Sequence, residues 1–441
     1  MTNLNELRTL VRGRVLLPGD DGFDQARRPW NLAVEQSVPA VVEAADAADV
    51  ATLVRYARPR GLKVSAQPSG HGATGDLDGA ILLRTGRLDQ VSVDASARTA
   101  RVGAGVRWGQ VQRAAAGHGL TGLPGSSPEV SVTGYTLGGG LSWFSRAYGW
   151  AADSVTAFEV VRADGERARV TTGSDPDLFW ALRGGGGDFA LVTALEFGLH
   201  PAPALYGGRL LWTADRAAEV LDAYRQITDT APDRLTLWFD LLNFPAAPPM
   251  VAVDATYLGA PAEGRAFLRP LERLGGALSD SRAAMPLTDL GSITAEPTTP
   301  GHGLSHGDLL TTLDDVTAKA LLATPIDPLL SVQIRHLGGA LAHPSDSPHG
   351  PLTEPYALYL FGVPTTPDAA SAIQVRQRQL LDDLAPAISG RKPYTFLKPE
   401  EPAAMAFTPD ALARLRDIKR RHDPDGTIRS NFPVTTPTRG H

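Results

Sequence analysis

The chain has 441 residues, 43% of them hydrophobic, which at roughly 150 residues per domain allows two or three buried cores; two are expected. Its formal charge of −6, from 42 basic and 48 acidic residues, lacks the basic excess that phosphate-backbone binding requires, so nucleic acid is not an expected partner. With no cysteine, disulfides, thiolate metal sites, iron–sulfur clusters and cysteine nucleophiles are excluded together.

The N-terminal residues show no basic start, apolar core and small-residue cleavage site. No stretch of about 18 uncharged apolar residues follows, so a soluble, cytoplasmic protein without a membrane partner is expected. Pro39 to Val42 predicts a short strand. Asp46 then caps a helix that continues through Leu53, Val54, Tyr56 and Ala57 and stops near Pro59 and Gly61. Strand-like Leu62 to Ala66 leads into Gln67-Pro68-Ser69-Gly70-His71-Gly72-Ala73-Thr74-Gly75. Gly70, Gly72 and Gly75 satisfy G-x-G-x-x-G, yet a dinucleotide fingerprint needs a helix opening on the last glycine. Here Ala80-Ile81-Leu82-Leu83 predicts another buried strand. The unit is strand, Gly-His-Gly loop, strand, and it presents a nucleophilic imidazole where the backbone lets another molecule come close.

Short strands are predicted at Val91 to Val93 and Thr99 to Val102, with a helix from Trp108 to His118, a mixture that points to an α+β domain. Glycine clusters follow at Leu123 to Pro128, Gly134 to Leu141 and Arg183 to Phe189. Such loops serve either as tight turns between strands or as concave amide nests that hold phosphate oxygens. The absence of G-x-x-x-x-G-K-[ST] argues against a P-loop, and no serine lies in G-x-S-x-G. No second ligand accompanies His71 at metal-binding spacing, so no metal is expected. Past Pro201-Ala202-Pro203, alternating segments at Leu235 to Leu242, Met250 to Tyr257, Leu330 to Leu337 and Tyr356 to Val363 predict a mainly antiparallel sheet covered by helices on one face. Gly291 to Asp308 reads as a long loop, His302 and His306 in it lacking a third ligand. Asp410 to Arg421 reads as a cationic helix with Leu412, Leu415 and Ile418 on one face, ended by Asp423-Pro424.

The ordered set Trp30-Asn31, Pro39-Ala40-Val41-Val42, Pro68-Ser69-Gly70-His71-Gly72, Gly134-Tyr135-Thr136-Leu137-Gly138-Gly139-Gly140 and Gly187 to Thr193 resembles the PCMH-type FAD-binding domain of the vanillyl-alcohol-oxidase superfamily. Leu415 to Gly426 is similar to the closing segment of berberine bridge enzyme-like oxidases, and matching pieces run from about residue 25 to 432. The resemblance implies an FAD-binding domain at 1–204, an inserted substrate domain at 205–404 and a returning segment at 405–441. It implies a covalent link from His71 to the methyl carbon on the flavin's benzenoid edge. Ser69, Gly70, Gly72, Gly134, Gly138 and Gly139 would contact FAD through the backbone, Val192 would face it, and Asn431 would lie in the returning segment.

Two departures from the family pattern matter. Ser127 fills the position of a second, cysteinyl tether, so FAD would be covalent through His71 only, and a less oxidising or more accessible flavin is expected. The family's usual base is not identifiable. Tyr394 is one candidate, beside Gln333 and Arg335, which share a face of their strand if it is extended. Tyr394 could equally be a packed aromatic and Arg335 the partner of a carboxylate; Trp238 and Tyr257 could line a pocket or belong to the core. The expected activity is oxidation of a small organic substrate, a secondary-metabolite intermediate, with dioxygen as acceptor. Oxygen insertion by the flavin and an inactive flavin-fold binding module are the alternatives.

Overall fold

The computed structural model describes residues 3–77 and 79–435; Asp78 and the outer ends of the expected first and last domains lie outside them. The chain begins with a four-stranded sheet in the spatial order Arg14–Leu16, Val41–Glu43, Ala80–Arg84, Lys63–Ala66. The last three pair in parallel, and their near-continuous apolar residues are buried, as strands covered on both faces must be. Helix Ala47–Ala57 crosses between two of them, its first turn capped by the Asp46 carboxylate, which accepts from the amides of Ala48 and Asp49. Parallel neighbours cannot be joined by a tight hairpin. Among the described residues, the connection from Gln67 to Gly79, between Lys63–Ala66 and Ala80–Arg84, contains no helix, so the crossover is made by a loop with His71 in it.

A five-stranded antiparallel sheet follows, ordered Val91–Asp94, Thr99–Gly103, Leu191–Gly198, Val155–Val161, Arg167–Val170. Helix Trp108–Ala116 buries Trp108, Val111 and Ala115 in the core shared with this sheet. The third sheet has eight strands. Seven run in the order Ser279–Asp280, Leu205–Thr213, Met250–Leu258, Leu235–Leu242, Ser331–His336, Tyr356–Gly362, Leu304–Leu310, and Ala283–Ala284 joins Leu205–Thr213 beside the first of them. Every pairing in it is antiparallel. Leu237, Phe239, Val253, Ile334 and Leu358 pack on one face with helices Ala217–Thr228, Asp315–Leu322 and Pro367–Leu384. The whole is an α+β fold.

One segment departs from expectation. The reading of Gly291 to Asp308 as loop holds only from Ile293 to Gly303, because Gly291 and Ser292 end the 3-10 helix Leu287–Ser292 and Leu304–Leu310 is an edge strand. His306 and Asp308 disguise it, for polar residues on the helix-covered face break the apolar alternation. They are tolerated there because the His306 ring meets Asp308 at 2.7 Å and Lys392 at 3.1 Å, while Lys392 also pairs with Glu401 at 2.7 Å.

Helix Pro409–His422 packs on helix Pro176–Leu182. Beyond it the chain doubles back, and Ile428 bridges in parallel to Val64. A buried ion-pair network locks this return. The Lys419 ammonium donates to the Asp423 carboxylate at 2.8 Å and to the carbonyls of Asp188 and Ile428 at 2.6 and 2.7 Å. Asp423 accepts from the amides of Thr427 and Ile428, and Asp188 accepts from those of Ser430 and Val434.

Candidate functional site

Two surfaces meet between the first two sheets and the third. On the first, the His71 loop is braced by Trp30, whose amide donates to the Ser69 carbonyl at 3.0 Å and whose ring stacks on the imidazole at 4.4 Å between centroids. Gly70 sits at φ +89°, where its glycine identity is required: a Cβ would come 2.8 Å from Pro29 Cβ. His71 Nε2 is buried and has no hydrogen-bond partner. Burial lowers the imidazole pKa to about 4, the Glu129 backbone working weakly the other way, so the ring is neutral and keeps a nucleophilic lone pair. The amides of Ser69, Gly70, His71 and Gly72 make no hydrogen bond among the described residues. Asn431 anchors the far side, its side-chain amide donating to the Gly72 carbonyl at 2.7 Å.

These features suit a phosphate-bearing flavin: a run of unspent donors, an orphaned imidazole nitrogen, and open space beside Gly72. The second glycine cluster fits less well than expected. The amides of Gly134, Gly138 and Gly139 are spent on Ser131 Oγ, the Tyr135 carbonyl and the Thr136 carbonyl, because they lie in and just after the short helix Val132–Leu137. Gly139 admits His349, which a Cβ would approach to 2.7 Å, and Gly138 admits Tyr394 and Thr395. Gly138 and Gly139 make room for these side chains, and the amides of all three glycines bond within the protein. Val192 is buried at a register shift in its strand pairing. Ser127 is buried, its hydroxyl accepting from the Glu129 amide at 3.3 Å.

The facing surface is the uncovered side of the eight-stranded sheet. Gln333 and Arg335 do share it, with the Arg335 Nε donating to Gln333 Oε1. The guanidinium lies 4.1 Å from the Trp238 ring centroid, 4.9 Å from that of Tyr359 and 5.7 Å from that of Phe396. Trp238 in turn stacks at 3.6 Å on Trp143 from the first domain. Tyr257 belongs to the other face, in the helix-covered core, its hydroxyl donating to Glu263. Tyr394 does not join this group. Its hydroxyl donates to the Phe432 carbonyl at 3.3 Å, and its ring packs with Phe407 and Phe432, so it braces the returning segment. Burial raises its pKa far above the ordinary phenol value. From the 3-10 turn Tyr394–Phe396 it is Phe396 that reaches Arg335.

Sequence reading missed the carboxylates on this face. Asp240 and Asp254 are 2% and 0% exposed. Arg209 gives Asp254 both Nε and Nη2, at 2.6 and 2.7 Å, and reaches Asp240 Oδ2 only at 3.5 Å. Gln333 Nε2 donates to the same Oδ2 at 2.8 Å, which leaves Oδ1 buried without a partner. Burial, reinforced by the Asp254 charge, pushes the Asp240 pKa up to about 7. An aspartate in the middle of an apolar strand was the available signal, since aspartate is depleted in strands.

Among the described residues no group of acidic and histidine side chains is arranged to hold a metal, and no helix is long and apolar enough to cross a membrane. Residues 38–171 match the FAD binding domain family. (R)-6-hydroxynicotine oxidase of Paenarthrobacter nicotinovorans is 26% identical over 96% of this chain and 97% of its own length. The FAD-linked oxidoreductase iacH of Pestalotiopsis fici is 25% identical over 98% of this chain and 91% of its own. FAD-dependent monooxygenase tpcD of Cochliobolus heterostrophus is 35% identical over 44% of this chain and 38% of its own. Among solved structures, Physcomitrella patens BBE-like 1 superposes with a TM-score of 0.86 over 100% of both chains at 18% identity.

Proposed function

We propose that this chain, which carries an FAD-binding domain, is similar along its length to FAD-linked oxidoreductases and has a berberine bridge enzyme-like fold, oxidises a small natural-product intermediate, with FAD tethered through His71 alone and dioxygen as acceptor. When bound, FAD would accept the hydride, with its two electrons, that leaves the substrate. The observation that carries the proposal is the orphaned, neutral Nε2 of His71, a nitrogen with a lone pair and no other use.

In this reading Ser69, Gly70 and Gly72 offer main-chain donors to the cofactor. Asn431 holds the loop closed through the Gly72 carbonyl, and Val192 lines the floor. Ser127 supports a single tether, since a hydroxyl in that position cannot form the thioether of a second one. Across the gap, Arg335 and Gln333 orient the substrate. The Trp238 and Trp143 stack closes one side against water, which strengthens every electrostatic contact within.

Acid precipitation of the purified holoenzyme tests the tether. Flavin colour in the pellet is expected from the wild type and in the supernatant from His71→Ala; full release from the wild type refutes covalent attachment. The partial match to a monooxygenase favours oxygen insertion as the second reading. Peroxide yield per turnover under labelled dioxygen separates the two: label in the product excludes the simple oxidase.

A further inference from the structure

We propose that Asp240 is the catalytic base, its Oδ1 taking the proton of a weakly acidic hydroxyl, phenolic or enolic, whose oxygen is held by the terminal nitrogens of Arg335. This rests on the functional reading above and gives it a substrate class.

The face brings together two carboxylates and a shared guanidinium from three adjacent strands. Arg209, on Leu205–Thr213, can satisfy only one carboxylate in bidentate fashion, and geometry gives it to Asp254 on the neighbouring strand. Asp240, one strand further, is left with a single 2.8 Å bond from Gln333 and a long contact to Arg209, both on Oδ2. Oδ1 is therefore the buried acceptor with capacity for a proton. Glu296, from the segment before Leu304–Leu310, adds negative charge felt by Asp254, Arg209 and Arg335. Arg335 is a second cation on this face, and its terminal nitrogens make no hydrogen bond among the described residues. It is fixed by Gln333 and three aromatic rings. The Tyr135 hydroxyl, which lies within the field of Arg335 from the first domain, is also buried without a partner.

The step balances by itself. The substrate O–H bond breaks, Asp240 Oδ1–H forms, and the electron pair stays on the substrate oxygen. Asp240 goes from −1 to neutral, and the new oxyanion is paired with Arg335. Gln333 fixes both ends of the device, donating to Asp240 and accepting from Arg335. Burial and the Asp254 charge, which hold the Asp240 pKa near 7, match this base to an acidic hydroxyl at neutral pH. Arg209 and Asp254 are positioning residues, since they act through Asp240.

The test uses FAD-loaded protein and 3-nitrophenol, a flat phenol less acidic than Asp240 whose anion is coloured. At a pH above about 7, where free Asp240 is charged, and below the phenol's own pKa, difference spectra should show bound 3-nitrophenolate in the wild type and the neutral phenol in Asp240→Asn. Calorimetry of wild-type binding in buffers of different ionisation enthalpy should show no net proton release, because the proton stays on Oδ1. Arg335→Met should weaken binding about tenfold or more. Neutral probe bound to the wild type, phenolate bound equally by both proteins, or proton release from the wild type would each overturn the assignment. So would failure of millimolar probe to bind to protein that retains its flavin. Absence of FAD from the purified protein would instead defeat the functional reading itself.

Discussion

Replacing Lys419 by methionine keeps the length of the side chain and removes its charge. In the native structure that ammonium is 6% exposed at its side chain and compensates Asp188 and Asp423, exposed at 2% and 0%. Four backbone amides also donate to the two carboxylates, but hydrogen bonds without a counter-charge do not offset two buried negative charges. The Asp188 and Ile428 carbonyls would lose their donor as well. Breaking such a pair from one side costs about 3–5 kcal/mol. With an unfolding entropy of roughly 2.1 cal/mol/K per residue, the 441 residues turn this into a fall in Tm of about 3–5 °C. Because the network ties down the segment that carries Asn431 to Gly72, Lys419→Met should also expose the chain beyond Asp423 to protease. Adding Asp423→Asn should recover part of the loss by removing one unpaired charge. Differential scanning calorimetry with limited proteolysis measures both effects. A Tm unchanged within about 1 °C, or a double variant worse by the sum of both single losses, would refute the reasoning.

The pH dependence of stability should carry two opposing signatures. His200 and His349, drawn down to about 4 by burial, contribute stability that is present above the unfolded imidazole value of about 6.5 and is lost as pH falls towards 4. Asp240 acts oppositely: raised to about 7, it costs stability increasingly as pH rises from about 4 to 7. Denaturant titrations at pH 5 and 8 should therefore find Asp240→Asn gaining on the wild type at the higher pH, by at most about 3 kcal/mol. Arg146 donates from the first domain to the carbonyls of Leu235, Ala231 and Leu337 and meets the His336 ring. Arg146→Ala leaves these buried acceptors unpaired, at about 1–3 kcal/mol each, and calorimetry should show one unfolding transition resolve into two.

Much of the first half was legible because its signals are local. Asp46 before an apolar three-to-four repeat announces a capped helix, and Ala80 to Leu83 announces a strand whatever surrounds it. The extended strand at 331–336 places Gln333 and Arg335 on one face by periodicity alone. Gly138 and Gly139 were visible as backbone requirements, but not what approaches them: a glycine shows that space is needed, while only the fold reveals His349 and Tyr394 filling it. For Tyr394 both a base and a packed aromatic were open for the same reason, since an aromatic near a motif gives no hint of its hydroxyl's partner; the fold packs it against Phe407 and Phe432.

The amino-acid order by itself determined the strand, loop, strand frame that exposes His71, the lack of any thiol for a second tether, and the alternating strands of the second half. Tertiary structure decided the polar face of the eight-stranded sheet. Arg209, Asp254, Asp240 and Gln333 come from four strands whose spatial order is not their order in the chain. Alternation fixes which side of a strand a residue occupies. Which strands lie beside one another, and in what register, depends on packing across the whole sheet. That packing gives Arg209 to Asp254 and leaves Asp240 with an open oxygen.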